Sequence, residues 1–186
     1  MTRLIFIRHG KTSGNLRGAY IGRTDEPLCN EGIKELEEKA FPEADVVVLS
    51  PMKRCIQSAD IIFHGVPKQI YDDLRECDFG DFENKNYAEL NGDEDYQAWI
   101  DSGGTMAFPN GEAHNDFTER CCNAFLQAVS ENEGKMIAFV VHGGTVMSVL
   151  ERFAEPKKGY YDYMTKNGCG FLAEFSDGKI KIIGQV

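Results

Sequence analysis

Four consecutive apolar residues, Leu4-Ile5-Phe6-Ile7, run without a break into Arg8-His9-Gly10-Lys11-Thr12. A short run that is apolar at both alternating positions suits a strand buried on both faces, the condition of a central strand in a parallel sheet. Open α/β sheets hold their ligands beyond the carboxyl ends of such strands. An arginine and a histidine delivered to a glycine turn at that point are an arrangement for an anion. The pattern occurs twice, because Met136-Ile137-Ala138-Phe139-Val140-Val141 runs into His142-Gly143-Gly144-Thr145. Two strand-end histidines far apart in the chain meet if their strands lie at one sheet edge.

The remaining pattern alternates strand and helix. Residues 3–8 read as the first strand, and Asn30 as the cap of a short helix carrying Ile33, Leu36 and Ala40. Asp45 to Leu49 is the next buried strand. Ser50-Pro51 then reads as an N-cap and a first-turn proline, with Met52, Cys55, Ile56, Ala59, Ile62 and Phe63 on the buried face of the helix that follows. Arg54 falls in the first turn of that helix, where the macrodipole disfavours a cation, so an anionic partner is the better explanation. Gln69 to Tyr71 reads as a short strand. Residues 74–114 are polar and glycine-containing with interspersed aromatics, a helical and loop insertion over the site. Phe117, Cys121, Ala124, Phe125 and Ala128 mark an amphipathic helix, and a further helix after His142 reaches about Phe153. Phe171 to Phe175 and Lys179 to Ile183 flank Ser176-Asp177-Gly178, a hairpin signal. The expected fold class is a three-layer α/β/α sandwich with a mostly parallel central sheet and an antiparallel C-terminal edge.

A chain of 186 residues is long enough for one sizeable core and short for two, so a single domain over residues 1–186 is expected, with 74–114 as its cap. The net charge of -10 and a pI of about 4.9 argue against a nucleic-acid surface or a polybasic membrane contact. An acidic protein still binds an anion where its few arginines converge. No apolar run approaches the length of a bilayer-spanning helix, and a soluble, cytoplasmic protein is expected. The six cysteines, Cys29, Cys55, Cys77, Cys121, Cys122 and Cys169, have neither CxxC spacing nor the density of a secreted scaffold, so they read as reduced thiols. Cys55 and Cys121 lie on apolar helix stripes. His64 and His114 lack metal spacing to any other histidine and read as surface or capping residues.

Five separated blocks share an order and spacing with a known family. They are Arg8-His9-Gly10-x-Thr12-x-x-Asn15; Gly22-Arg23-x-Asp25-x-Pro27-Leu28 with Glu31-Gly32; Ser50-Pro51-x-x-Arg54 with Ala59; Leu74-Arg75-Glu76-x-Asp78-Phe79-Gly80; and His142-Gly143-Gly144. Across nearly its whole length the chain resembles the histidine phosphatase superfamily, also called the phosphoglycerate-mutase-like family. The Glu76 to Glu83 segment and the short chain are most similar to the α-ribazole phosphatase and broad-specificity phosphatase branch. The resemblance implies that His9 is a nucleophile that becomes phosphorylated and that Arg8, Arg54 and His142 bind the phosphoryl group. It also implies that Glu76 is the proton donor. Asn15, Arg23 and Gly143 are further candidates for substrate or phosphate contact.

The residue types suit that chemistry. Two guanidiniums neutralise the oxygens of a phosphomonoester and align phosphorus for in-line attack. His9 must attack as neutral imidazole, with its other ring nitrogen held by an acceptor such as a carbonyl of the adjacent glycine turn. A cationic His142 would stabilise charge on the equatorial oxygens. Glu76 must begin protonated, and partial burial favours that form. No metal or other cofactor is expected, since arginines and histidine take over the charge neutralisation. The expected partner is a small-molecule phosphomonoester, with α-ribazole phosphate the one implied by the branch.

Some readings stay local. Arg23 is expected to pair with a nearby carboxylate, Asn15 to serve as a turn former or a phosphate donor, and Glu112 in Pro109-Asn110-Gly111-Glu112-Ala113 to be structural first. Phe79, Phe82, Trp99 and Phe108 form either a pocket for an organic leaving group or the core of the insertion. Lys11, Cys29 and Asn84 depart from the family pattern without removing a reacting group, and Asn84 bears on substrate choice. Two alternatives carry the same motifs: a phosphoglycerate mutase, disfavoured by the short chain and by Ser13-Gly14-Asn15 without a tryptophan, and a non-catalytic phospholigand- or protein-binding module.

Overall fold

The computed structural model describes residues 1–186. Its six strands are β1 (Thr2–Arg8), β2 (Val46–Leu49), β3 (Lys68–Ile70), β4 (Met136–Val141), β5 (Gly170–Ser176) and β6 (Lys179–Gln185). They form one sheet in the order β3-β2-β4-β1-β5-β6. The first four in that order run parallel, β5 is antiparallel to β1, and β6 is antiparallel to β5. This is the expected mixed α/β architecture with an antiparallel C-terminal edge.

Period-two alternation divides the central strands between two cores. Leu4, Phe6, Val46, Val48, Ile137 and Phe139 face one side, where they pack with Phe125, Ala128, Val149 and Leu150. Those partners belong to α5 (His114–Glu131) and α6 (Gly143–Phe153). Ile5, Ile7, Val47, Leu49, Ala138 and Val140 face the other side, against Ala59 of α3 (Lys53–Ile62) and the adjacent Phe63. Burial on both faces explains why β1, β2 and β4 read as unbroken apolar runs rather than alternating ones.

The remaining helices are α1 (Ser13–Leu16), α2 (Asn30–Glu37) and α4 (Glu94–Asp101). Between residues 72 and 114 the chain has two short 3-10 turns, Asp72–Leu74 and Gly80–Phe82, and then α4. A third core, of Cys77, Phe82, Leu90, Phe108, Phe117 and Cys121, fastens this segment to α5.

Two expected helix starts are displaced. Asn30 is the first residue of α2 rather than its cap; Cys29 takes the cap position, and its Sγ accepts from Gly32 N at 3.4 Å. The helix after Ser50-Pro51 begins at Lys53 with Met52 as N-cap. Ser50 Oγ is instead 2.8 Å from His142 Nε2, so tertiary contact claimed the hydroxyl that local pattern assigned to capping.

Candidate active site

The pairing of β1 with β4 brings the two histidines together. Arg8 is opposite Val141, and His9 N donates to Val141 O at 2.9 Å. His9 and His142 therefore leave neighbouring parallel strands at the same end, with ring centroids 5.2 Å apart and planes at 68°. Both are buried, His9 at 4% exposure and His142 at 0%.

Hydrogen bonds define the tautomer of each ring. His9 Nδ1 lies 2.7 Å from Gly10 O, and a carbonyl only accepts, so Nδ1 carries the proton and Nε2 keeps its lone pair. Asn167 Nδ2 braces this turn, donating to His9 O at 3.0 Å and Gly10 O at 3.4 Å. His142 Nδ1 accepts from Arg54 Nε at 3.3 Å, which leaves Nε2–H to donate to Ser50 Oγ. Burial, and then the nearby Arg54, push both imidazoles well below the usual histidine value. For His9, Arg8 adds to this and the Gly10 carbonyl opposes it; for His142, His9 and Arg8 add to it. With Arg54 donating to Nδ1 and burial depressing its value, the His142 ring favours the neutral form; the cationic form is expected only beside a bound phosphate.

These depressed values make stability pH-dependent. Below about 6.5 the unfolded chain protonates its histidines while the folded protein leaves His9 and His142 neutral, so stability falls as pH drops through that value. Glu76 acts with the opposite sign, because its folded value is raised: its contribution is full below about 4.5 and is lost as pH rises through the folded value. Thermal melting between pH 7.5 and 5.5 should show a falling midpoint, and His9→Gln should flatten part of that fall. A variant with the wild-type slope would place no titrating burden on His9.

Arg54 comes from the first turn of α3 and is fully buried. Its Nη1 donates to Thr24 O at 2.7 Å, and its Nη2 to Gly22 O at 3.0 Å and Ile21 O at 3.4 Å. The 21–24 loop is itself held by Glu83 Oε1, which accepts from Gly22 N and Thr24 N at 2.8 Å each. Gly22 has no room for a side chain, since a Cβ there would collide with the Cys77 carbonyl. Arg8 donates through Nη1 to Thr165 O at 2.9 Å, while its buried Nε has no partner. Burial lowers the Arg8 guanidinium from its ordinary value, Glu76 opposes this, and Arg54 adds to it. Neither arginine forms an ion pair: apart from His142, their hydrogen-bond partners are backbone carbonyls.

Glu76 lines the same cavity as His9, its Oε1 accepting from Cys77 N at 3.0 Å and its Oε2 from Gly144 N at 3.2 Å. Burial raises its carboxyl above the usual range; the two amides, Arg54 and Arg8 pull the other way. Asn15 is the turn former expected of it. It closes the capping box of α1 with Thr12, and its Oδ1 also accepts from Asn167 Nδ2 at 3.0 Å, which turns its own amide nitrogen outward.

Arg8, His9, Asn15, Glu76 and Gly143 line one cavity of about 320 Å³. Its outer wall is aromatic, with Tyr20, Phe79, Trp99 and Phe108 on one side and Tyr160 and Tyr161 on the other. Phe82 is instead core beneath that wall. His114, expected to be a surface or capping residue, is the first residue of α5, lines the cavity and meets the Tyr160 ring edge-on at 4.8 Å. His64 is exposed. Arg23 does not reach the cavity. It is 72% exposed, makes the expected carboxylate pair with Asp78 at 3.1 Å, and lines a neighbouring recess with Arg75, Arg120 and Glu76. Sequence reasoning missed Asn167, Tyr160 and Ser50 as parts of the site, and Asn167-Gly168 offered only an unspecific turn signal.

A profile of the histidine phosphatase superfamily (branch 1) matches residues 4–184. The chain belongs to the histidine phosphatase superfamily. The adenosylcobalamin/alpha-ribazole phosphatase of Salmonella typhimurium is 27% identical over 188 residues, spanning 95% of this chain and 92% of that protein. The broad-specificity phosphatase YOR283W of Saccharomyces cerevisiae is 30% identical over 80% of this chain and 69% of its own length. Among solved structures, the alpha-ribazole phosphatase of Shigella flexneri superposes with a TM-score of 0.85 at 25% identity, covering 98% of this chain and 95% of that one. The phosphoserine phosphatase of Entamoeba histolytica, solved with 3-phosphoglyceric acid, has a TM-score of 0.81 at 25% identity, covering 100% and 96%. This histidine phosphatase is therefore an enzyme of phosphate-ester chemistry, with the fold of its relatives. No helix in it is long and apolar enough to cross a membrane. No three His, Cys, Asp or Glu side chains are grouped to hold a metal ion.

Proposed function

We propose that this histidine phosphatase hydrolyses a phosphomonoester through a phosphohistidine formed on His9, without a metal. The observation that carries the reading is a pair of buried guanidiniums without a salt bridge, Arg8 in the cavity wall beside His9 with its free Nε2 and Arg54 behind it on His142. A buried cation without a counter-ion is costly, and a bound dianion supplies the missing charge. The unpartnered Arg8 Nε, the Asn15 amide and the Gly143 N–H at the start of α6 add donors around it.

His9 Nε2 attacks phosphorus as the bond from phosphorus to the leaving oxygen breaks, and Glu76 gives that oxygen its proton. Water then attacks phosphohistidine while Glu76 takes a proton back. The charge of the bound phosphate favours protonation of His142 at Nδ1, which then donates to an equatorial oxygen rather than accepting from Arg54. Residues 74–114 act as the cap within one domain spanning 1–186.

The cavity also favours one substrate class. Arg8 is the one lysine or arginine lining it and its wall is largely aromatic, while Arg23, Arg75 and Arg120 lie in the neighbouring recess beyond Glu76. A neutral, planar leaving group such as that of α-ribazole phosphate matches this lining. Phosphate release should be measured in EDTA from p-nitrophenyl phosphate, α-ribazole phosphate, sugar phosphates, phosphoserine and 3-phosphoglycerate. Turnover that survives EDTA and ranks the aromatic esters first is expected. Primer-dependent isomerisation of phosphoglycerate without phosphate release would replace this reading with the mutase one.

Glu76→Gln should lower turnover of alkyl phosphates by at least about 100-fold while sparing p-nitrophenyl phosphate, whose leaving group departs without a proton. In the parent enzyme, alkyl-phosphate turnover should decline as pH rises through the raised Glu76 value. Equal losses on both ester types in the variant would assign the proton to another group.

A further inference from the structure

We propose that Arg120, locked to Glu112, is the positioning residue for Glu76, an inference that rests on Glu76 being the general acid. Glu76 lies on a segment with no strand or helix ladder to hold it: residues 75–79 follow a single 3-10 turn and precede another. Arg120 stands on the rigid 18-residue α5 and takes the place of that ladder. Its Nη1 donates to Asp73 O and Arg75 O at 2.8 Å each, and its Nη2 to Glu76 O at 3.0 Å. The other Nη2 hydrogen and Nε–H form a fork onto Glu112, at 2.8 Å and 2.7 Å. All five guanidinium hydrogens are thus engaged, three on carbonyls of the acid-bearing segment. The cation also lies 4.9 Å from the Phe117 ring centroid.

Glu112 holds the next residues along. Glu112 N donates to Asp78 O at 2.9 Å, and its Oε2 accepts from Asp78 N at 3.3 Å. Gly111 permits this approach, because a Cβ there would sit 2.5 Å from Asp78 O. The backbone is consequently gripped on both sides of Glu76, while the Glu76 carboxylate reaches the cavity and rests on Cys77 N and Gly144 N. Arg120 does not line the histidine cavity but a neighbouring recess that shares Glu76 with it, and with all five hydrogens committed its route to the reaction runs through Glu76. A lysine has three donors at one point and lacks the planar fork, so it cannot hold carboxylate and carbonyls together.

The test is Arg120→Lys, assayed on one alkyl phosphate and on p-nitrophenyl phosphate, alone and in the Glu76→Gln background. Displacing the acid by about 1 Å should cost about 100-fold in kcat on the alkyl ester, with KM little changed and the aryl ester affected far less. In the Glu76→Gln background, Arg120→Lys should add no further loss. Equal losses on both esters, or losses that multiply in the double variant, would overturn the proposal and leave Arg120 a purely structural clamp. Glu112→Gln, which keeps shape but weakens the fork, should give the same split at smaller size. If Arg120→Lys does not melt cooperatively, Glu112→Gln decides, and an absent split there overturns the proposal. Failure of the acid reading shows itself separately, as a Glu76→Gln variant with no leaving-group dependence.

Discussion

His9→Asn is expected to reduce phosphate release by about five to six orders of magnitude, the scale on which loss of a nucleophile acts. That corresponds to about 7–8 kcal/mol of transition-state stabilisation. The size follows from geometry: Nδ1 is committed to Gly10 O, so Nε2 is the atom available to phosphorus, and an asparagine amide in its place has no nucleophilic lone pair. The fold should persist, because β1 is anchored by Leu4, Ile5, Phe6 and Ile7 and the His9 backbone bond to Val141 is untouched. Substrate labelled at phosphorus, quenched in alkali, should mark the parent protein and not the variant. Substantial turnover by a well-folded variant would rule out the covalent route.

Arg54→Lys is expected to lower kcat/KM by about 1000-fold, or about 4 kcal/mol, in line with removal of one aligned donor from a site that stabilises developing charge. Arg54 uses one plane to bond Thr24 O, Gly22 O and His142 Nδ1, and an ammonium cannot span those directions. The same cation controls a binding effect. Inorganic phosphate at 100 times its Kd should stabilise the parent enzyme by about 2.7 kcal/mol, raising its melting midpoint by about 5–10 °C for a chain of this size. In Arg54→Lys that rise should largely vanish at the same phosphate concentration. A full rise in the variant would mean that Arg8 and the amides hold the anion without Arg54.

Much of the scaffold is legible because the signals are local. Leu4 to Ile7 and Met136 to Val141 are apolar at every position, and strands of that kind must lie inside a sheet covered on both faces. The glycines after His9 and His142 mark where those strands end, and the hairpin at Ser176-Asp177-Gly178 lies between β5 and β6 as read. The errors have one cause. Ser50 had a good local reading as a cap, but a buried hydroxyl bonds the strongest partner within reach, which was His142 from 92 residues away. Arg23 found the expected carboxylate, but in Asp78, 55 residues on. The aromatic residues of 74–114 offered pocket and core as equal readings, and the fold assigned Phe82 to the core, Phe79 and Trp99 to the cavity wall, and Phe108 to both.

From sequence alone came the parallel core, the strand-end positions of His9 and His142, the family, and the set of groups able to attack, neutralise and protonate. Only the tertiary structure decided which ring nitrogens are engaged, that burial and Arg54 depress His142, and that neither Arg8 nor Arg54 forms a salt bridge. It also placed Arg120 on the carbonyls of Asp73, Arg75 and Glu76, and Asn167 on those of His9 and Gly10. The division follows from range. Strand character, turns and helix starts depend on neighbours a few residues away, whereas a tautomer, a depressed pKa or a guanidinium fork depends on desolvation and on partners that only folding brings to within 3 Å.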